Sequence, residues 1–255
     1  MRAFLEKVVG PRRWSDFLQN VHGLRRCVRP KLEPEAYALS RYVPEGGVAF
    51  DIGANYGQYT RVLAACVGEK GYVHAFEPAR TTFKCLQRNV RLLRLRNVRT
   101  WNVALGERTG EADFYLPVKG PGRYGHATAS LAPPQGRVLV ETVKVDTLDD
   151  FCAREGIGRL DFVRCDVEGA EGAVLRGGSN TLARFRPVLL FEVHPSMMTA
   201  LGDDVEEFVS LMRRHRYEMF RLEGNALRPL TGTPELNVYC FPDERLGEFR
   251  LVRSC

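Results

Sequence analysis

The stretch Val48-Ala49-Phe50-Asp51-Ile52-Gly53-Ala54-Asn55-Tyr56-Gly57, followed one short helix later by Val73-His74-Ala75-Phe76-Glu77-Pro78, decides the architecture of this chain. An apolar run ends in an acid and a glycine, a helix-like segment follows from Gln58 to Val67, and a second apolar run ends in Glu77, 26 positions after Asp51. This is the pattern of a β-α-β unit with an acid at each strand tip. Glycine lets backbone approach a ligand closely, because no Cβ fills the space. A carboxylate at the second tip can accept hydrogen bonds from both hydroxyls of a ribose. Either motif alone is also an ordinary strand exit; the pair, with a helix between, reads as a nucleoside-cofactor site.

The turn is Gly53-x-x-x-Gly57. It lacks the G-x-G-x-x-G spacing that packs a pyrophosphate against a helix N-terminus, which disfavours NAD and FAD. S-adenosylmethionine has a ribose and an amino acid but no phosphate, so it suits a glycine turn and a ribose acid without a phosphate cradle. Asp51 is then expected to help hold the ammonium of its methionine part, directly or through water.

Outward from this unit, strand and helix alternate. The pattern predicts a helix near Glu35 to Tyr42, then strand 48–52, helix 58–67, strand 72–76, helix 82–93 and strand 98–105. It resumes with helix 148–155, strand 160–165, helix 172–184, strand 188–193, helix 205–214 and strands near 217–222 and 237–241. Such alternation makes a doubly wound, mostly parallel sheet with helices on both faces, an α/β fold. Residues 106–145, broken by Gly106, Gly110, Pro117, Gly120, Pro121, Gly122, Gly125, Pro133, Pro134 and Gly136, read as a hairpin and mobile loop over the site. Residues 1–34 read as a helical cap with apolar teeth at Phe4, Leu5, Val8, Val9, Trp14, Phe17, Leu18 and Val21, leaving 35–255 as the main domain.

Composition narrows the class. A chain of 255 residues is long enough for one α/β domain with an ample core. The apolar runs are strand-sized and the N-terminus shows no apolar core of a secretory signal, so a cytoplasmic protein without a membrane span is expected. The seven cysteines are scattered without a C-x-x-C pair, which fits free thiols rather than a structural zinc. The net charge of +6 permits contact with nucleic acid or an anionic surface. Its clusters, Arg88, Arg91, Arg94, Arg96 and Arg99 and the N-terminal Arg12, Arg13, Arg25, Arg26, Arg29 and Lys31, read as solvated helix faces. No RNA-reading aromatic motif accompanies them, so no specific nucleic acid is expected. Trp14 and Phe17 among basic residues raise a weak membrane-surface contact.

Six matches, two of them within the stretches above, give a family resemblance. These are Phe50 to Gly57, Phe76-Glu77-Pro78, Asn102-Val103-Ala104-Leu105-Gly106, Thr147-Leu148-Asp149-Asp150-Phe151, Asp166-Val167-Glu168-Gly169-Ala170-Glu171 and Phe191-Glu192-Val193-His194. On them the chain, across about residues 35 to 242, resembles the FkbM family of S-adenosylmethionine-dependent methyltransferases. The resemblance implies a Rossmann-like class I methyltransferase fold, a seven-stranded sheet with the last strand antiparallel, and O-methylation of a small molecule, sugar or lipid-linked hydroxyl. It names no acceptor.

The cofactor-binding set is then Asp51, Gly53, Asn55, Tyr56, Gly57, Glu77, Asn102 and Asp166. Asn102 reads equally as an adenine neighbour and as a strand-end residue satisfying backbone groups. An alcohol is a weak nucleophile, so a base is expected near the acceptor. His194, two positions after Glu192 at a strand end, is the first candidate and Asp166 the second; the competing structural roles are a turn brace before Pro195 and a helix cap. Asp166, Glu168, Glu171, Glu192 and His194 also form a set that Mg²⁺ accepts. Their spacing is no known ligand signature, and Glu168 and Glu171 read first as solvated or capping residues, so no metal is assigned. Tyr124, His126 and Ser130 are candidate acceptor contacts, and His22, His74 and His215 read as packing or surface residues. An RNA or protein methyltransferase, and a cofactor-binding module without turnover, are the alternatives.

Overall fold

The computed structural model describes residues 21–28, 33–120, 123–124, 130–131 and 136–249, with side chains omitted at 119–120 and 123–124. The apolar teeth at Phe4 to Leu18, the basic residues Arg12, Arg13, Arg29 and Lys31, and His126 lie outside these residues, as does the side chain of Tyr124.

Strand β1 (Val48–Ile52) is buried along nearly its whole length, as a central parallel strand covered on both faces must be. It pairs in parallel with β2 (Tyr72–Phe76) on one side and with a strand from much later in the chain, Phe162–Cys165, on the other. Between β1 and β2 runs helix Gln58–Val67, whose Tyr59, Leu63 and Val67 form one buried stripe at the four-residue spacing of an amphipathic helix. Helix Arg80–Leu92 then leads to β3 (Val98–Trp101), parallel to β2. The expected strand 98–105 is interrupted at Asn102-Val103, and Ala104–Leu105 forms a separate strand, β4.

A second sheet follows. Strands β5 (Gly110–Gly120), β6 (Arg123–Tyr124) and β7 (Val138–Asp146) join β4 in the order β4-β7-β5-β6. Most of the expected hairpin is therefore a regular antiparallel pairing, from Gly110 opposite Val145 to Pro117 opposite Val138. Phe114, Leu116 and Val143, with Ala104 of β4, give this sheet a small core against Ala79 of the main domain.

The chain returns through helix Leu148–Arg154, capped by Thr147 Oγ1 accepting from Asp150 N, into β8 (Phe162–Cys165) and β9 (Val188–Val193). The helix expected over 172–184 is two, Glu171–Arg176 and Ser179–Phe185. They part at Gly177, where a Cβ would lie 2.0 Å from Gly106 O, so the tight approach of the Gly106 turn sets the break. A short helix, Pro195–Ala200, opens with Pro195 in its first turn, a position that suits proline's fixed φ.

Helix Val205–Arg214 precedes β10 (Tyr217–Glu223), β11 (Ala226–Pro229) and β12 (Leu236–Pro242). The main sheet runs β11-β10-β12-β9-β8-β1-β2-β3. β12 pairs antiparallel with both β9 and β10, so it is the reversed strand among the seven from β10 to β3, as the resemblance implies. The eighth strand, β11, is an addition to the expected seven. It returns from β10 across Gly224-Asn225, a two-residue hairpin signal present in the sequence.

Alternate residues of each strand feed opposite faces. Phe50, Ile52, Phe76, Val163 and Phe191 meet Phe151 and Phe208 in one layer. Ala49, Val73, Phe162 and Leu190 meet Leu63, Tyr239 and Phe241 in the other. The strand order reverses between β1 and β8, so their carboxyl ends open the crevice where a doubly wound sheet holds a ligand.

Candidate active site

Gly53, with φ +79°, turns the chain out of β1 so sharply that a Cβ there would lie 1.8 Å from Asp166 O at the end of β8. Any side chain would push the two strand tips apart. The turn is pinned on its other side by Phe76 O, which accepts from Gly53 N at 3.1 Å and Ala54 N at 2.8 Å. Asn55 follows at φ 50°, and its N–H donates to Glu77 Oε2 at 3.0 Å. Glu77 Oε1 accepts from Ala79 N at 3.0 Å. The carboxylate at the second strand tip is thus aimed by two backbone N–H groups, one from each side. Burial pushes it up to about 8 against the pull of those two donors.

These residues line a cleft of about 610 Å³, its open mouth included, together with Ile52, Phe76, Pro78, Val103 to Leu105, Asp166, Val167, Glu168 and Ala170. Phe114 of the second sheet and Leu131 form part of the wall.

Behind the cleft lies Arg164, a buried guanidinium in the middle of an apolar strand. Nη2 reaches Asp166 Oδ2 at 2.5 Å and Glu192 Oε2 at 3.4 Å. Nη1 donates to Gly53 O at 3.2 Å and lies 3.7 Å from Asp51 Oδ1, while the group covers the Tyr59 ring at 4.3 Å. Burial opposes its charge most strongly, yet Asp166 and Asp51 outweigh that and raise its pKa. No motif singles this residue out, but an arginine inside a buried strand is itself a signal, because charged residues are buried only when paired.

Asp51 is fully buried and outside the cleft lining. Its Oδ2 accepts from Thr60 Oγ1 at 2.5 Å, and burial raises its pKa. It stands beside Arg164, behind the residues that line the cleft. Asp166 and Glu168 do line the cleft, Glu168 at φ 56°. Burial, then Asp166 and Glu171, push Glu168 up to about 8. Glu171, fully buried, closes the loop beneath by accepting from Val167 N at 3.3 Å and Gly169 N at 3.2 Å.

Three more residues of the expected cofactor set lie outside the lining, as Asp51 does. Tyr56 is buried against the helical segment 21–28, with His22 edge-on at 6.1 Å and Arg26 over its ring at 6.0 Å. Gly57 starts helix Gln58–Val67, against Leu86, and its carbonyl faces Cys27 Sγ at 3.4 Å. Asn102 takes the strand-end role: its Nδ2 donates to Glu77 O at 2.9 Å and Pro78 O at 2.8 Å. It fixes the Glu77-Pro78 turn from outside the cleft lining.

Glu192 and His194 also stand outside the lining. His194 Nε2 lies 3.2 Å from Glu192 Oε1, and Glu192 connects through Arg164 to Asp166 on the cleft wall. Burial, then Asp166, push Glu192 up to about 8, with Arg164 pulling down. Ser130 is buried, with Ser130 N and O paired to Tyr115 O and N. His74 stacks on Trp101, and His215 meets Ser179 Oγ at 3.2 Å, both as packing residues. Among the described residues no group of three or more His, Cys, Asp or Glu is arranged to hold a metal ion.

The lining thus carries three acids and no arginine or lysine. It suits a nucleoside bearing positive charge and is hostile to phosphate. S-adenosylmethionine, with a sulfonium, an ammonium and a ribose, fits that chemistry: Glu77 would hold the ribose, and Asp166 or Glu168 would face the cationic part.

Known proteins resemble this chain in sequence and in fold. The profile of the family described as Methyltransferase FkbM domain matches residues 51–219. The 2-O-methyltransferase NoeI of Sinorhizobium fredii is 31% identical over 154 residues, 54% of this chain and 60% of NoeI. Methyltransferase 1 of Beauveria bassiana is 28% identical over 148 residues, 52% of this chain and 59% of that protein. The matched part of the chain spans about three fifths of each relative's length. Among solved structures, Methyltransferase FkbM from Methylobacillus flagellatus KT has a TM-score of 0.51 at 15% identity, over 89% of this chain and 60% of that one. Cofactor-bound Rv0187 from MTB has a TM-score of 0.50 at 12% identity, over 94% and 95%. At such identities the structural likeness is one of fold.

Proposed function

Because this chain belongs to the FkbM family of methyltransferases, with S-adenosylmethionine as its cofactor, we propose that it methylates a hydroxyl group of a small molecule, a sugar or a lipid-linked glycan. The observation that carries the reading is Glu77, fixed at the β2 tip by two backbone donors in an acid-lined cleft beside the Gly53 turn. The relative named as a 2-O-methyltransferase supports oxygen as the atom methylated.

The cofactor supplies a methyl group already made electrophilic by its sulfonium. What remains for the protein is to orient the acceptor, exclude water and take one proton. Orientation of this kind is worth roughly 7–11 kcal/mol in well-arranged systems. The apolar wall of Phe114, Leu131, Val103 and Leu105 supplies the dry surface. His194 is the proposed base, with Asp166 the second candidate. When Glu192 is ionised it accepts Nε2–H and leaves Nδ1 of His194 as the basic nitrogen, while Arg164 holds Glu192 from the other side.

The test is isothermal titration with S-adenosylmethionine and S-adenosylhomocysteine, with and without chelator. Micromolar binding insensitive to chelator is expected, weakened at least about tenfold, or about 1.4 kcal/mol, by Glu77→Ala. Absence of binding to either compound would overturn the reading, and unchanged affinity in the variant would remove Glu77 from the site. An acceptor screen by release of S-adenosylhomocysteine then tests the hydroxyl class.

A further inference from the structure

Helix Arg80–Leu92 and its exit carry Arg80, Lys84, Arg88, Arg91, Arg94, Arg96 and Arg99, with no aspartate or glutamate from 80 to 100. These seven cations exceed the chain's net charge of +6 by one, so the remaining residues together net one negative charge. All seven are exposed, and none joins an ion pair among the described residues.

Their placement is a stripe. At about 3.6 residues per turn, Arg80, Lys84, Arg88 and Arg91 fall within roughly 80° of arc. The buried residues Thr82, Cys85, Leu86 and Asn89 take the opposite side. Helix energetics oppose such a row, because like charges three or four residues apart repel. Cations in the first turn also face the positive end of the helix dipole. A solvated face made for stability alone would intersperse acids.

The stripe begins at the cleft. Arg80 lines a polar groove with Pro78, and Pro78 also lines the main cleft. At the far end Leu92 is 54% exposed beside Arg91. The only aromatic on the helix, Phe83, is partly buried against Leu86 and Ala75, and the one exposed ring beside the stripe, Tyr72, is covered by the Arg99 guanidinium at 5.6 Å, so the helix face itself presents no run of open rings on which successive bases could stack.

We propose that this face docks the protein on an anionic lipid surface, the guanidinium groups pairing with headgroup phosphates and Leu92 entering the headgroup layer. The cleft rim would then lie next to the membrane, where a lipid-linked acceptor is presented. Docking itself does not depend on methyl transfer.

The experiment is flotation of the full chain with vesicles of phosphatidylcholine alone and of three parts phosphatidylcholine to one part phosphatidylglycerol, at low and raised salt. Arg88→Glu/Arg91→Glu is run beside the wild type, and its melting curve and titration with S-adenosylmethionine confirm an intact fold. Binding only to the anionic vesicles, erased by salt and at least about tenfold weaker in the double variant, is expected. No binding at low salt, or equal binding by the variant, overturns the proposal, the latter placing contact elsewhere on the chain. Tighter binding to polyuridylate than to the vesicles also overturns it and assigns the stripe to nucleic acid.

Discussion

Replacing Glu77 by glutamine should change the stability of the cofactor-free protein in opposite directions at low and high pH. In the folded protein the carboxyl is raised from 4.5 to about 8, chiefly by burial. Between those values the native state keeps a proton that the unfolded chain has released, so stability falls as pH rises and the full penalty is present above about 8. At about 1.4 kcal/mol per pH unit, that penalty is roughly 5 kcal/mol. Glutamine removes it, but keeps one acceptor where Glu77 satisfies both Asn55 N and Ala79 N. Setting the amide NH2 against one of these donors costs about 1–3 kcal/mol. The variant should therefore be more stable than wild type by roughly 2–4 kcal/mol at pH 9 and less stable by about 1–2 kcal/mol at pH 5. Glu168, Glu171 and Glu192 titrate in both proteins and largely cancel from the difference. Urea unfolding at pH 5, 7 and 9, followed by tryptophan fluorescence, measures it. A difference of the same sign and size at pH 5 and pH 9 would refute the reasoning.

Three other substitutions probe the site. Gly53→Ala should destabilise the protein by about 2–5 kcal/mol, since its Cβ would meet Asp166 O at φ +79°; an unchanged melting temperature would show that the β1 turn can relax. Arg164→Met should cost about 3–5 kcal/mol near pH 8 by stranding buried Asp51. The loss should shrink toward pH 5 as the carboxylates take up protons, and a pH-independent loss would count against the ion-pair account. His194→Ala should lower turnover on a screened acceptor by about 10²–10⁴-fold while leaving cofactor affinity within about twofold. Wild-type turnover should rise with pH toward about 8 as Glu192 ionises, and equal turnover in the variant would move the base to Asp166.

The β-α-β unit could be read from sequence because its signals are local: apolar runs of strand length, an acid at each tip and one amphipathic helix between. The same holds for the Asp166-to-Glu171 loop, whose Asp166 and Glu168 line the cleft. Tyr56, Gly57 and Asn102 were harder, because their surroundings come from distant segments. The 21–28 helix claims Tyr56, and the carbonyls of Glu77 and Pro78 claim Asn102. Asp51 looked like a ligand contact, yet the β8 arginine that occupies its surroundings lies more than a hundred positions away. The break at Gly177-Gly178 and the hairpin at Gly224-Asn225 were legible in glycine pairs and turn dipeptides; the helix pattern and the short length of β11 obscured them.

Phe114 in the cleft wall comes from a sheet separate from the one whose strand ends carry Gly53, Glu77 and Asp166, and Leu131 beside it follows the bridge of Ser130 to that second sheet. Floor and roof are consequently different inheritable parts. The β5–β7 segment pairs with no strand of the main sheet and touches the main domain through Ala79 and the Arg80 N–H to Glu141. Under the proposed function, grafting that segment from one relative into another is expected to change the acceptor while leaving cofactor binding intact.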